Sequence, residues 1–270
     1  MQYFGVDIGG TGIKGAPVDL EAGELTAPRL RLPTPRPAVP DAVAEVVGDV
    51  VRHFGWTGPV GATFPAVIKN GIAMTAANVD QSWVGSNVAT KLGAVTGDEV
   101  TVLNDADAAG VAEMAFGAGK DASGLVVMMT FGTGIGTAVF LHGQLVPNTE
   151  LGHLEVDGHD AETRASEMVR ERDNLSWEKW AHRVSKYIGT LEALLWPDLI
   201  IIGGGASRKA DKFIPLLDVR TKVVPAQLRN DAGIVGAALA ASGDATRPKP
   251  PARAVRRRPV TRPPGGGRRP

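Results

Sequence analysis

The chain reads as an α/β protein with duplicated βββαβα units, on three observations. Short apolar runs of strand length alternate with longer stretches of helical periodicity. Two glycine-rich turns, GTGIKG at 10–15 and FGTGIG at 131–136, each fall between two strand runs. The composition, 43% hydrophobic and 21% charged over 270 residues, is that of a soluble globular chain long enough for one or two domains. No apolar run approaches the ~18 residues of a membrane span, and no basic segment precedes an apolar one at the start. A cytoplasmic protein with no membrane partner is expected. Cysteine is absent, which excludes disulfides and thiolate metal sites.

Taken in order, residues 3–8 (YFGVDI) and 13–18 read as strands joined by the first glycine turn, and 25–32 as a third, antiparallel strand. After the proline-rich 33–40, Asp41 is placed to cap a helix whose apolar stripe runs Val43, Val46, Val47, Val50, Val51 and Phe54. Residues 60–64 form the next strand, 86–95 a short helix, 100–103 a strand and 106–116 a helix of small residues. The pattern then recurs: strands at 125–130, 137–141 and 144–146, helices at 161–171 and 176–196, a buried strand at 199–202 and a closing helix at 234–241.

Asp105 stands where the strand at 100–103 gives way to a helix, outside the carboxyl end of a strand, which is where α/β folds place chemistry. Two readings fit it: a general base that takes a proton from a substrate hydroxyl, or an N-cap of the helix. The 10–15 turn has the spacing of a dinucleotide fingerprint, but Ile13, Ala16, Pro17 and Val18 continue as a strand where that site needs a helix. A turn between strands still offers unshielded backbone N–H groups to an anion, with Lys14 as a mobile cation; a plain hairpin is the alternative. Three such features, the two turns and the IIIGGG run at 200–205, have phosphate binding as their economical common reason.

The set DIGGTGIK (7–14), NDADAA (104–109), TFGTGIG (130–136), ELGH (150–153) and IIIGGG (200–205) resembles the ROK sugar kinases of the actin and hexokinase-like superfamily. Within them TFPAVIKNG, TAANVDQSW, LVPNTELGHLEVDGHDAE and LWPDLIIIGGG are similar to the polyphosphate-dependent glucokinases of actinobacteria, over residues 4–241. The resemblance implies a two-lobed fold with an interlobe cleft: an N-terminal lobe over 1–106, a C-terminal lobe over 107–233, and a closing helix at 234–244 that returns toward the first lobe. It implies phosphoryl transfer to the 6-hydroxyl of glucose, with Asp105 as base and Asn78, Asn104, Glu150, His153 and Glu162 as sugar ligands. Asp7, Gly9, Gly10, Thr11, Gly12 and Lys14 match the first phosphate motif, Thr130, Gly132, Thr133 and Gly134 the second, and Gly203, Gly204 and Gly205 the nucleotide-side turn. Mg²⁺ is expected through the donor phosphates, with Asp7 a candidate contact. A sugar whose every hydroxyl both donates and accepts suits such a set of Asn, Asp, Glu and His side chains.

Many ROK proteins follow E-x-G-H with a cysteine-rich zinc segment. This chain has LEVDGHDAE there, so no structural zinc is expected, and the polyphosphate subgroup is favoured over a strictly ATP-dependent hexokinase. Inorganic polyphosphate and ATP are both expected donors, with Lys14, Lys120, Arg208, Lys209 and Lys212 as candidate contacts. ROK repressors carry a helix-turn-helix segment ahead of this fold; here the first strand begins at Tyr3, which makes a sugar sensor the less favoured reading. Residues 245–270 hold nine bases, no acid and seven prolines, so a disordered tail is expected. Nucleic acid is not an expected partner. A homodimer is left open.

Overall fold

The computed structural model describes residues 1–243, so the tail expected at 245–270 lies outside the described residues. The first half contains β1 (Gln2–Ile8), β2 (Ile13–Asp19), β3 (Glu24–Leu25), β4 (Leu30–Leu32), α1 (Pro40–His53), β5 (Val60–Phe64), β6 (Ile68–Lys69), β7 (Ile72–Ala73), α2 (Val88–Thr96), β8 (Val100–Asn104) and α3 (Asp105–Phe116). The second contains β9 (Leu125–Phe131), β10 (Ile135–Leu141), β11 (Gln144–Val146), β12 (Glu155–Val156), β13 (His159–Asp160), α4 (Glu162–Ala165), α5 (Glu167–Arg172), α6 (Trp177–Leu195), β14 (Leu199–Gly204), α7 (Ala210–Phe213), β15 (Val223–Pro225) and α8 (Ala232–Ala241).

The duplication is plain in the sheets. The first runs β3-β2-β1-β5-β8, with β4 also on β2, and the second β11-β10-β9-β14-β15. In each, the strands flanking a glycine turn are antiparallel, and the first of them pairs in parallel with the strand on its other side. The 10–15 turn therefore joins two strands, with Ile8 opposite Ile13, and opens no helix.

Helices α1 and α2 cover the outer face of the first sheet through Val43, Val47, Val50, Val88 and Leu92; α6 covers the second through Trp180, Val184, Ile188 and Leu191. A third core lies between the sheets, where Val111 and Met114 of α3 and Ile234, Val235 and Ala238 of α8 meet residues of both. Glycines set how close α8 comes. A Cβ on Gly5 or Gly61 would fall 1.9 or 1.7 Å from the carbonyl oxygens of Ile234 and Ala237, and one on Gly236 1.8 Å from that of Ala108. The C-terminal helix is thus pressed onto β1 and β5 with no room for a methyl group.

Several elements differ from expectation for identifiable reasons. The single strand expected over 25–32 is two, β3 and β4, because Pro28 lies between them and cannot donate to a ladder. Helix α1 begins with Pro40 in its first turn and Val39 at the N-cap, so Asp41 pairs with Lys91 instead of capping. The helix expected over 161–171 breaks at Ser166, whose extended backbone ends α4 and whose hydroxyl accepts the Val169 N–H at the start of α5. Beyond the expected elements the fold adds the β6–β7 and β12–β13 hairpins and the short β15.

Candidate active site

A cleft of about 620 Å³ opens between the sheets. Its walls come from the 65–67 and 75–78 segments, the β8–α3 junction, the second glycine turn, the 150–153 turn, Glu162 and Gly204.

At the junction, Asn104 and not Asp105 caps α3: its Oδ1 accepts the N–H groups of Ala106 and Asp107 at 2.8 and 3.2 Å, and its Nδ2 donates to the Ala66 carbonyl. The capping alternative for Asp105 falls away, and its carboxylate faces the cleft with one oxygen on the Ala106 N–H at 2.9 Å. Enclosure by protein, with the charges of Asp7 and Glu150 added, pushes Asp105 up to about 6. A base with that value is ionised near neutrality and still accepts a proton readily. Asn104, its acceptor oxygen committed, offers the cleft one remaining amide hydrogen.

Across the cleft, Glu150, His153 and Glu162 converge. The turn that carries the first two is fixed by Thr137: its hydroxyl donates to the Thr149 carbonyl at 2.5 Å and accepts the Leu151 N–H at 3.1 Å. Gly152 lets the turn lie on β10, where a Cβ would be 2.1 Å from the Ile135 carbonyl oxygen. His153 Nδ1 bonds Asp160 Oδ2 at 2.8 Å, a contact that holds its pKa above the ordinary histidine value and aims Nε2 toward Glu150 Oε2, 4.0 Å away. Asp160 Oδ1 accepts the Glu162 N–H at 3.1 Å, so one carboxylate orders two expected sugar ligands. Among the described residues His153, Asp160 and Glu162 bring three ligand atoms within 4.8 Å of one another. Burial, with Glu162 nearby, raises the Glu150 carboxyl above its usual range.

The two glycine turns flank these groups. Glu162 Oε2 accepts the Ile135 N–H at 3.1 Å and stands where a Cβ on Gly134 would fall, tying the 150–162 wall to the glycine turn; Thr130, Gly132 and exposed Thr133 complete that wall. Asp7 accepts from the buried Thr63 hydroxyl and from Lys14 Nζ, both at 3.0 Å. Its turn closes with Gly9 N–H on the Gly12 carbonyl, and Gly10 lies against Asn78. Arg31 donates to the Thr11 carbonyl at 2.9 Å. Of the last glycine run, Gly204, at φ 73°, lines the cleft, while Gly203 packs on Met128 and Gly205 against Glu167.

The residues expected from the five motifs therefore lie in or beside one cleft. Sequence reasoning missed Thr63 and Arg31, which orient Asp7 and Thr11, and took Asp160 for a surface polar residue, whereas it orients His153. It also missed Asn148: its amide pairs with both the N–H and the carbonyl of Ile68, while its own N–H goes to Asp107.

The ROK family matches residues 3–165, more than half of the chain. The chain belongs to the ROK family. It is 56% identical over 244 residues to a polyphosphate glucokinase of Mycobacterium tuberculosis, covering 90% of this chain and 92% of that one. Among solved structures it is similar to an inorganic polyphosphate/ATP-glucomannokinase from Arthrobacter sp. strain KM, at 51% identity and a TM-score of 0.86, over 89% of this chain and 98% of that one. A ROK family glucokinase from Streptomyces griseus, at 23% identity and a TM-score of 0.76 over 90% of this chain and 100% of that one, shares the fold. No described helix is long and apolar enough to cross a membrane.

Proposed function

We propose that this ROK protein is a glucokinase that moves a phosphoryl group from inorganic polyphosphate, and from ATP as second donor, to the 6-hydroxyl of glucose. One observation carries the reading: a chain 56% identical over nine tenths of its length to a polyphosphate glucokinase has a carboxylate of raised pKa, Asp105, facing Glu150, His153 and Glu162 across a cleft edged by glycine turns.

Glu150, His153, Glu162, Asn78 and the remaining amide hydrogen of Asn104 take the hydroxyls of the sugar, and the walls hold the 6-hydroxyl against Asp105. The hydroxyl proton passes to Asp105, the sugar oxygen bonds to the terminal phosphorus, and the bond from that phosphorus to the bridging oxygen breaks. The electron pair leaves with a polyphosphate shorter by one residue, or with ADP. Backbone N–H groups of the turns at 9–12 and 132–134 receive the phosphoryl oxygens, the positioning and charge stabilisation on which such transfers depend. The carboxylate of Asp7 is an oxygen donor of the kind a hard divalent ion takes, so Mg²⁺ would fit here, held by donor phosphates and Asp7. When bound it supplies positive charge to the transferred group.

The reading carries a cytoplasmic location and no nucleic-acid or membrane partner. A homodimer is compatible with it, and light scattering on the purified protein decides that point. The test of function is glucose 6-phosphate yield with Mg²⁺ and either long-chain polyphosphate or ATP as sole donor. Transfer from both, abolished in Asp105→Asn, is expected. Transfer from ATP alone would make the protein an ordinary glucokinase, and transfer from neither would overturn the reading.

A further inference from the structure

The RLRL stretch at 29–32 carries two arginines. β4 pairs antiparallel with β2 so that Arg31 lies opposite Lys14, and Arg29, the residue before β4, reaches Asp231 at the start of α8. Leu30 and Leu32 turn the other way, into the first core. The row begins at the phosphate turn, where Lys14 meets Asp7 and Arg31 holds the Thr11 carbonyl. It ends at Arg29, which pairs with Asp231 and lines an open groove of about 940 Å³ that the cleft described above does not include.

That groove is cationic and firmly built. Its charged lining residues are Arg29, Lys222 and Arg229 against a single acid, Asp231, and Arg208 bonds Asn230 on its rim. Its floor is anchored from below by the fully buried Glu113 of α3, whose carboxylate accepts the N–H groups of Gln227 and Leu228 at 2.8 and 2.7 Å. The lysines of the 209–212 segment face elsewhere: Lys209 lies between Glu167 and Glu171, and both it and Lys212 approach the Trp177 ring.

We infer that this row and groove are the track of a long polyanionic donor: polyphosphate with its terminal residue at the transfer site runs past Lys14, Arg31 and Arg29 and is held, several residues back, by Arg229 and Lys222. The inference rests on the proposed function. Its chemistry separates donors, because ATP carries three phosphates and a chain of many continues where ATP has ended. Cations remote from the transfer site then act on chain length and not on the chemical step.

The experiment compares wild type with the double variant Arg229→Ala, Lys222→Ala. It measures catalytic efficiency with long-chain polyphosphate, tripolyphosphate and ATP, and direct binding of long-chain polyphosphate over a salt series. We expect efficiency with the long chain to fall about ten-fold or more, tripolyphosphate and ATP to change less than about two-fold, and the slope of log affinity against log salt to shrink by about two, one for each lost contact. Equal loss with all three donors, or no loss with any, would overturn the track. A wild type that binds the long chain through these residues yet transfers nothing from it would sink the proposed function and leave the track standing; binding indifferent to the double variant would sink the track whatever the activity.

Discussion

Asp107 offers a test in which both sign and size follow from the structure. It is 1% exposed, Oδ2 accepts the Asn148 N–H at 2.8 Å, and Oδ1 has no partner among the described residues. Burial first, then the charges of Glu150 and Asp105, push its carboxyl up from 3.8 to about 7. The folded protein therefore keeps a proton that the unfolded chain releases near 3.8. Stability from this group is complete below that pH and is lost as pH rises toward 7. Integrating the linkage between pH 5 and 8.5 gives a loss of between about 2 and 3 kcal/mol. Asp107→Asn keeps the acceptor for Asn148 and cannot ionise. Its amide nitrogen, placed where Oδ1 was, is left unpaired at a cost of about 1–3 kcal/mol, but that cost is independent of pH and drops out of the comparison. At ~2–4 °C per kcal/mol for a chain of this size, the melting temperature of the variant relative to wild type should rise by roughly 5–10 °C between pH 5 and 8.5. Thermal unfolding followed by circular dichroism at the two pH values measures it. A difference that stays flat would mean that Asp107 is charged in the fold and that Oδ1 has a partner.

Other residues give sharper functional readouts. Asp105→Asn should lower kcat by about 10²–10⁴ while glucose binding by calorimetry persists, and the wild-type kcat/KM should fall about ten-fold per pH unit below its value of about 6; a variant with comparable turnover would remove Asp105 from the base role. Asp160→Ala frees His153 Nδ1 and the Glu162 N–H together, so the KM for glucose should rise about ten-fold with kcat less affected, and an unmoved KM would count against the ordering of both ligands by one carboxylate. Thr63→Val removes the hydroxyl that Asp7 accepts from, and steady-state kinetics should show loss with both donors alike; a loss confined to polyphosphate would contradict the placement of Asp7 at the transfer site.

Much of this could be read from the residues because the duplicated unit is local in its signals. Period-two runs, glycine turns and an alanine-rich helix after 100–103 mark the elements one by one, and Asp105 stands out because a strand pattern stops beside it. The supporting groups were hidden for different reasons. Thr63 is a polar residue in an apolar strand, a visible anomaly whose partner, Asp7, is 56 positions away and fixed only by the parallel pairing of β1 and β5. Asp160 reaches His153 because β12 and β13 form a hairpin over Asp157 and Gly158, both at positive φ. The Asp-Gly pair is a recognised signal for that turn and could have revealed it. The row of Arg29, Arg31 and Lys14 depends on the register of β4 against β2, which no local pattern specifies once Pro28 has interrupted the strand.

The distribution of charge across the cleft carries a last consequence. Acids gather in the cleft: burial, then the charges of Asp7 and Glu150, raise Asp105, and burial, then Glu162, raises Glu150. Glucose is neutral and tolerates such a field, whereas a polyanion brought against it is repelled unless cations intervene. On the donor track inferred above these are Lys14, Arg31 and Arg29, the first and last already paired with Asp7 and Asp231, and a divalent ion at the junction would offset what remains. Screening should then separate the two substrates. Exposed charges more than a Debye length apart, about 10 Å at 0.1 M salt, lose most of their interaction. Raising salt from 0.05 to about 0.3 M should therefore increase the KM for long-chain polyphosphate several-fold and move that for glucose little, since its ligands act through short hydrogen bonds inside the cleft. A glucose KM that climbed in parallel would mean that sugar and donor share one charged surface, and the division between an acidic sugar side and a basic donor side would be wrong.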